Sequence, residues 1–213
     1  MDFFYKEILF IVVVVILWID QDMDSANKIT DEELLLSYYQ GNEEAFVSLW
    51  DSLGDDLYNI SVKLICDLKL AEDLCQFAWE EIISNQSKYK EMLLDKRLKL
   101  RAYMITMIRN RHIDTIRAKR TDDDLNTDDS IADNVTATPP EDAMIQEKLF
   151  IIEKCLQKMA LIYREIFILI KIEGLSLKEI SDLLEIKLET AKTRRRASYK
   201  QMDECVEVNY VNK

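Results

Sequence analysis

Glycine and proline are scarce in this sequence: its 213 residues include three glycines and two prolines. Sandwiches and barrels depend on many tight turns, and these two residues supply much of the backbone geometry that such turns require. The scarcity therefore argues against an all-β fold. Apolar residues make up 48% of the chain, too many for a disordered protein, and they recur at helical spacing along nearly its whole length. The sequence predicts an all-α fold of two small helical domains.

Metal ligands and catalytic motifs are also missing. Histidine occurs once, at His112, and no two cysteines form a CxxC pair, so no metal site is predicted. A disulfide framework is not expected in so large a helical chain. The sequence predicts reduced, buried thiols of a cytoplasmic protein at Cys66, Cys75, Cys155 and Cys205. Because the chain has no catalytic triad or phosphate-binding loop, we expect no enzymatic activity, no cofactor and no small-molecule substrate.

No apolar run is long enough to span a bilayer. The longest, Ile8 to Ile19, has twelve residues, whereas a membrane helix needs about 20. The segment before it has no net positive charge and no small-residue cleavage site follows it, so a signal peptide is not indicated. We interpret residues 1–22 as an extension upstream of a natural start at Met23, and we expect no membrane contact. A short hydrophobic tether is the alternative.

Charge is distributed unevenly along the chain. The formal net charge is −12, yet two segments are strongly basic. Residues 96–120 carry nine basic side chains against Asp114 alone, and residues 187–200 carry six against Glu189 alone. Local patches decide where a polyanion binds, whereas net charge mainly affects solubility. Two basic helices in an otherwise acidic protein indicate two defined contacts with one nucleic acid.

The second basic segment follows a helix-turn-helix pattern. Ser176 and Glu179 form a capping box that begins the first helix. Ile180, Leu183 and Leu184 are predicted to share one face of the first helix. Ile186 is predicted to close the turn, and Leu188 and Ala191 to face the first helix. A basic helix directly after such a partner is typical of binding in a DNA groove, and a solvated charged face is the alternative. The candidate DNA-binding residues are Lys187, Glu189, Thr190, Lys192, Thr193, Arg194 and Arg196.

Composition divides the chain into five segments. The apolar segment 1–22 precedes a helical domain over residues 23–120. Residues 121–142 hold eight acidic side chains, no basic one, and a Pro-Pro pair, which is the composition of a flexible linker. Residues 143–205 are predicted to form a four-helix domain that contains the helix-turn-helix, and residues 206–213 are a tail.

Local signals place the helices of the first domain. Thr30 is a predicted N-cap, and a break follows at Gly41. The next helix begins at Glu43, with Trp50 among the residues predicted to face inward. Two further long helices are predicted over residues 71–83 and 100–119.

Three motifs, taken in order, resemble the extracytoplasmic-function (ECF) sigma factors of bacterial transcription. They are AEDLCQ at residues 71–76, RAYMITMIRNRHIDTIR at residues 101–117, and the helix-turn-helix. The stretches DEELLL from Asp31 and GNEEAF from Gly41 look like the start of that family's first domain. The resemblance covers about residues 28–204.

The resemblance implies an alternative sigma factor that binds the RNA polymerase core and directs promoter-specific initiation. The helix that carries Asp73 and Gln76 would dock on the clamp helices of the polymerase's largest subunit, although Phe77 stands where the family usually has Glu. The linker would thread the RNA path of the polymerase. The usual regulator of such a protein would be an anti-sigma factor that masks both domains.

The two basic helices take promoter roles in this family. The first opens and reads the −10 element, and asparagine and arginine suit that role because they contact base edges and phosphates. The residues that match are Arg101, Tyr103, Arg109, Asn110, Arg111, Arg117 and Lys119. Tyr103 takes a usual tryptophan position, as either a core or a stacking aromatic, and Tyr89, in the predicted loop before this helix, is a looser stacking candidate. The helix-turn-helix reads the −35 element.

Two departures and two alternatives accompany this interpretation. Glu185 stands where the family has a turn glycine, so a non-glycine residue would carry a strained turn, and Lys187 replaces a serine cap. One alternative is a helix-turn-helix regulator that does not act through the polymerase core. The other is a membrane-tethered helical interaction protein.

Overall fold

The structure is a computed structural model that describes residues 29–95, 99–122 and 143–211. The predicted start at Met23, the apolar run and nearly all of the acidic linker lie outside these ranges. The described residues form helices only, which confirms the all-α prediction. The helices are α1 Asp31–Tyr38, α2 Glu43–Ile65, α3 Leu68–Ser84, α4 Gln86–Leu94, α5 Leu100–Asp122, α6 Ala143–Lys158, α7 Leu161–Lys171, α8 Leu177–Leu183 and α9 Leu188–Val211. None of them has the length and apolar character that crossing a membrane would require.

Capping interactions set the helix boundaries in the first unit, α1–α5. The Thr30 hydroxyl accepts from the Glu33 backbone N–H at 3.2 Å, and the Thr30 N–H donates to Glu33 Oε2 at 2.9 Å, so α1 begins with a capping box. Gly41 turns the chain with a φ of +100°, which glycine adopts without strain. The Leu100 N–H donates to Glu32 Oε1 at 2.7 Å, and α1 thereby fixes the start of α5.

Helix α2 is the centre of the first unit and packs against α1, α3 and α5. It runs for 23 residues without a break, and large apolar residues recur along one face at intervals of three or four. This spacing aligns them into a single stripe, which the neighbouring helices bury. The stripe consists of Leu49, Leu53, Leu57, Ile60 and Leu64.

Two aromatic side chains differ from their predicted positions. Trp50 is 50% exposed, because its ring lies over Gly54 and against Trp79, with ring centroids 5.1 Å apart, rather than inside the core. Tyr89 lies in helix α4 instead of a loop and is fully buried, edge-on to Tyr103 at 5.8 Å. The prediction that Tyr89 stacks on a base is therefore wrong, since no base can reach its ring.

The second unit, α6–α9, contains a disulfide bond. Cys155 on α6 and Cys205 on α9 are joined, with Cα atoms 5.7 Å apart, so the prediction of reduced thiols at these two positions is wrong. A separation of 50 residues hid their proximity, which arises because α6 and α9 pack side by side. Cys66 and Cys75 are free thiols, and burial raises the pKa of each.

The two units pack directly against each other. Helix α7 contacts α2, and its residues Ile166, Ile168 and Leu169 belong to the same buried cluster as the α2 stripe. Leu175 and Ile180, at and beyond the start of the helix-turn-helix, join this cluster. Apolar burial among the described residues therefore holds the second unit on the first.

Arg164 of α7 caps two helices, one in each unit. Its Nε donates to Leu156 O at 2.7 Å, and its Nη2 donates to Gln157 O at 3.0 Å and to Met159 O at 2.8 Å, at the end of α6. Its Nη1 donates to Leu64 O at 2.5 Å, in the last turn of α2. Terminal carbonyls lack helical partners and carry partial negative charge, which explains a cation at this junction.

Candidate nucleic-acid interface

The helix-turn-helix begins with the predicted capping box. The Ser176 N–H donates to Glu179 Oε2 at 2.8 Å, and the Glu179 N–H donates to Ser176 Oγ at 3.3 Å. Ile180 on α8 and Ala191 on α9 are fully buried, which fixes the angle between the two helices. Leu188 is 40% exposed at the first residue of α9, so the prediction that it faces α8 is wrong. Ala191, which lies one turn later, is buried as predicted.

The turn between α8 and α9 places a non-glycine residue in a left-handed conformation. Glu185 has a φ of +52°, as expected from its glycine-like position. The Ile186 N–H donates to Ser181 O at 3.0 Å and closes the end of α8. Such a conformation costs an ordinary residue about 1–2 kcal/mol, so the surrounding packing holds this turn in place.

Helix α9 presents its polar residues away from α8. Lys192 Nζ lies 2.6 Å from Glu189 Oε1, an exposed pair one turn apart, and Thr193 Oγ1 donates to Glu189 O at 2.9 Å. Thr190 and Arg194 are half-buried. The remaining candidate residues of this helix-turn-helix are exposed: Lys187, Glu189, Lys192, Thr193 and Arg196.

Helix α5 carries the first basic patch. One face is buried in the first unit, and Asn110, Arg111 and Arg117 are exposed on the other. Arg109 Nη1 donates to Asn110 Oδ1 at 2.8 Å. Tyr103 is half-buried against Tyr89, which gives it a packing role in this conformation. The Lys119 side chain lies outside the described part of the chain.

Two arginines of α5 face carboxylates of the second unit. Arg101 Nε donates to Glu173 Oε2 at 2.9 Å, and its Nη1 lies 3.2 Å from Asp56 Oδ2 on α2. Arg109 Nε lies 3.2 Å from Glu165 Oε2 on α7. The side chain of Glu165 is fully buried and that of Glu173 is 6% exposed, so both carboxylates are shielded from solvent.

Glu165 is the most perturbed carboxyl at this junction. Its Oε2 is close enough to Arg109 for an ion pair but is not aligned for a hydrogen bond, and neither of its oxygens accepts a hydrogen bond from any described residue. Burial raises its pKa to about 7, although Arg109 and Arg194 act to lower it. The Glu165 carboxyl therefore interacts electrostatically with one arginine from each of the two basic helices. Burial likewise raises the pKa of Glu173, against the opposing effect of Arg101.

An exposed ion pair and a cleft also lie between α5 and the helix-turn-helix. Lys99 Nζ, just before α5, lies 2.6 Å from Glu179 Oε1 on α8. Hydrogen bonds from Lys99 and then from Ser176 lower the pKa of Glu179 to about 2. A cleft of about 390 Å³ separates α5 from the α8–α9 turn. It is lined by Tyr103, Arg109, Asn110, Arg111, Leu184 and Glu185, among others.

Comparisons with known proteins match both units. The model of sigma-70 region 2 matches residues 49–121, and that of sigma-70 region 4 matches residues 149–202. The ECF RNA polymerase sigma factor SigW of Bacillus subtilis is 28% identical over 164 residues, which cover 73% of this chain and 85% of that protein. The ECF RNA polymerase sigma factor SigK of Mycolicibacterium vanbaalenii is 22% identical over 182 residues, which cover 83% of this chain and 89% of that protein.

A solved structure shares the fold. The sigma factor RpoE of Bartonella quintana, in complex with the anti-sigma factor NepR, aligns with a TM-score of 0.59 at 20% identity. The alignment covers 76% of this chain and 97% of that one. The chain belongs to the ECF sigma factors. As an alternative sigma factor it directs promoter-specific transcription initiation and is not an enzyme.

The sigma factor exposes the predicted polymerase-docking residues on α3. Asp73 and Gln76 are exposed, and Gln76 Nε2 donates to Glu80 Oε1 at 2.8 Å. Phe77 is half-buried and lies under the guanidinium of Arg111, 4.9 Å from its ring centroid. A residue predicted for polymerase docking therefore contacts a residue predicted for promoter binding.

It was not predicted from the sequence that Glu165 and Glu173 would form ion pairs with arginines of α5. Glu165 and its neighbour Arg164 are charged residues in the middle of the apolar helix LIYREIFILIK. Charged groups rarely occur in such a segment without buried partners, so this pattern was the available signal. Glu173 gave no comparable signal, because it lies in a polar turn. Among the described residues, no cluster of histidine, cysteine or carboxylate side chains could hold a metal ion.

Proposed function

We propose that the two units of this sigma factor divide the work of initiation as the sequence motifs imply. Residues 23–120 bind the polymerase core and the −10 element, residues 143–205 bind the −35 element, and the acidic segment 121–142 connects them. The observation that carries this proposal is the presence of two basic helices, α5 and α9, in a chain whose net charge is −12. Each of these helices lies largely within one of the two matched sigma-70 regions.

The polymerase contact is assigned to the outer face of α3. Asp73 and Gln76 project into solvent there, and Phe77 borders them at the edge of the cleft. The partner is the clamp-helix region of the polymerase's largest subunit. A charged and polar rim beside a half-buried aromatic suits such a contact, because complementary charges set orientation and the aromatic supplies buried area.

The promoter contacts are assigned to the polar faces of α5 and α9. In α5, Asn110 and Arg111 are exposed for bases and phosphates, with Arg109 and Arg117 beside them. In α9, Glu189 and Thr190 lie in the first turn, the part of a recognition helix that contacts base edges. Lys192 and Arg196 lie further along the helix and are suited to phosphates.

Regulation and location follow from the same assignment. We expect an anti-sigma factor to bind this chain, as NepR binds the related fold of RpoE. We expect the protein to work in the cytoplasm, where its polymerase and promoter partners are found.

Transcription reconstituted from the full chain, core polymerase and genomic DNA tests the function. Asp73→Arg should reduce capture of the chain by core polymerase at least tenfold, and Glu207→Arg, the same charge reversal at an exposed site on α9, should not. Asn110→Ala should lower strand opening while the −35 element stays occupied, and Arg194→Ala should lower occupancy itself. Equal loss of −35 occupancy in the two DNA variants would instead favour a single-site regulator.

A further inference from the structure

We propose that Phe77 of α3 is a positioning residue for promoter binding. Its ring holds the guanidinium of Arg111 apart from carboxylates, so that Arg111 binds a phosphate of the promoter strand with its charge not neutralised. This inference rests on the proposed role of α5 and deepens it. It gives the aromatic of α3 a partner within this chain, and it gives Arg111 a ligand, the phosphodiester backbone of a single DNA strand.

Arg111 differs from the other arginines of α5 whose side chains the structure describes. A carboxylate oxygen lies within ion-pair distance of each of the others, Arg101, Arg109 and Arg117. The side chain of Arg111 is exposed, and it forms no ion pair or hydrogen bond with any described residue. Its guanidinium lies over the ring of Phe77 instead, 4.9 Å from the ring centroid. No carboxylate of the described chain therefore neutralises Arg111 at contact distance.

The chemistry of an aromatic ring explains why this contact leaves Arg111 available. A ring attracts a cation to its face through its quadrupole, but it carries no net charge. A carboxylate would neutralise the guanidinium and occupy the same N–H donors that a phosphate needs. Phe77 stands where the ECF family usually has Glu. At this position the chain therefore presents Arg111 with an attractive surface that does not compete with DNA.

The ring also prevents a contact within α5. Asp114 lies three positions after Arg111, a spacing at which opposite charges on a helix pair, and both residues line the same cleft. Asp114 Oδ1 instead lies 3.6 Å from Arg117 Nη1, three positions further along the helix. Removal of the ring would free Arg111 to turn towards Asp114, and a phosphate would then have to displace that carboxylate.

Restriction of the Arg111 side chain before binding favours the phosphate further. An arginine has many rotamers, and their loss on binding costs free energy. The ring of Phe77 is half-buried on α3, and α3 packs against α5, so the surface under the guanidinium is fixed by the fold. Arg111 is thus restricted before DNA arrives. Its neighbour Asn110 is exposed for a base edge, so one helix turn offers a phosphate contact beside a base contact.

Binding of a labelled single-stranded oligonucleotide of random sequence to the full chain, measured over a series of salt concentrations, tests this positioning. Arg111→Ala should weaken binding and flatten the slope of log affinity against log salt by about 0.7, the contribution of one phosphate on a single strand. Phe77→Leu should weaken binding about threefold to tenfold, because the arginine is retained but no longer restricted. Its slope should change by less than half as much as that of Arg111→Ala, since the charge remains.

Three further variants separate the ring from other properties of Phe77. Phe77→Tyr keeps the ring and should bind like the original chain. Phe77→Glu introduces the usual family residue and should flatten the slope as much as Arg111→Ala does. The matched control is Phe150→Leu, which removes another ring under a cation, with Lys154 Nζ 4.4 Å from its centroid on α6. This control should bind within twofold of the original. Circular dichroism should show the same helical content in every variant.

A double-mutant cycle decides whether Phe77 acts through Arg111. In the Arg111→Ala background, Phe77→Leu should no longer weaken binding. Equal weakening in both backgrounds, or in neither, overturns the inference. So does an effect of Phe77→Leu on capture by core polymerase alone, because the ring would then serve only the polymerase contact. If Phe77→Leu loses helical content, Phe77→Tyr and Phe77→Glu carry the test, and equal binding by these two overturns it.

Failure of the inference can be distinguished from failure of the proposed function. If Arg111→Ala weakens binding and Asn110→Ala lowers strand opening while Phe77→Leu changes neither, α5 keeps its promoter role and only the positioning by Phe77 is wrong. If Arg111→Ala and Asn110→Ala both behave like the original chain, the promoter role of α5 is wrong, and the inference that rests on it is overturned as well.

Discussion

Replacement of Arg164 by methionine should destabilise the whole described fold, because this side chain joins the ends of two helices. Its guanidinium donates to four backbone carbonyls: three at the end of α6 and Leu64 O in the last turn of α2. Methionine retains the length and the apolar stem but donates no hydrogen bond. The variant therefore isolates the loss of the cap from the loss of packing.

The expected magnitude follows from the carbonyls left behind. An unsatisfied buried acceptor costs about 1–3 kcal/mol, and one hydrogen bond from a charged donor contributes about 1.5–3 kcal/mol. Water can reach some of the α6 carbonyls after a small shift, so we expect a loss of about 3–5 kcal/mol rather than the sum over four bonds. For a chain of this size, each kcal/mol corresponds to about 2–4 °C, which gives a decrease in Tm of about 6–20 °C.

Thermal unfolding monitored by circular dichroism measures this loss. Arg164→Lys keeps the charge but has a compact ammonium that cannot span the two helix ends, so its Tm should fall between those of the other two proteins. Arg195→Met makes the same exchange at an exposed position of α9 and should change stability by no more than about 0.5 kcal/mol. If Arg164→Met melts within 2 °C of the Arg195→Met control, the two-helix cap does not stabilise the fold (the 2 °C margin corresponds to about 0.5–1 kcal/mol).

Two further predictions concern pH and redox state. Burial raises the pKa of Glu165 from 4.5 to about 7, although Arg109 of α5 and Arg194 of α9 act to lower it. The contribution of Glu165 to the free energy of unfolding should therefore fall by up to about 3 kcal/mol as the pH rises from 4.5 to 7. It should stay constant above pH 7. Denaturant unfolding at pH 5 and pH 8 should therefore show a smaller loss in Glu165→Gln than in the original chain, and identical losses would contradict the raised pKa. The Cys155–Cys205 bond closes a loop over 50 residues, so its reduction should lower the free energy of unfolding by up to about 4 kcal/mol. The Tm of the original chain should therefore be lower when dithiothreitol is present. The Tm of Cys155→Ser should be the same with and without the reductant.

Local signals in the sequence were sufficient for most helices. The Thr30 and Ser176 capping boxes form as predicted, and each depends on two residues only three positions apart, so the local sequence is enough to predict it. Glu185 carries the strained turn that the resemblance to the family implied. The helix α4 is the exception, because only two of its nine residues, Tyr89 and Leu93, are buried, and its apolar residues give too weak a pattern to distinguish from a loop.

Contacts between distant residues could not be predicted in the same way. The partners of the Cys155–Cys205 bond are 50 residues apart, and Arg109–Glu165 and Arg101–Glu173 join residues more than 50 positions apart. Periodicity indicates which face of a helix is buried but not which other helix covers it. The candidate residues on α5 and α9 were chosen because they lie on polar, mostly basic helix faces or match the family's motifs. Neither criterion reveals that a carboxylate of the same chain stands opposite some of them.

The acidic composition of the chain acquires a physical role from these contacts. A net charge of −12 opposes non-specific association with DNA, so we expect promoter binding to depend on the two basic helices. In the described packing of the two units, Glu165 and Glu173 offset the positive charges of Arg109 and Arg101 on the basic helix of the first unit.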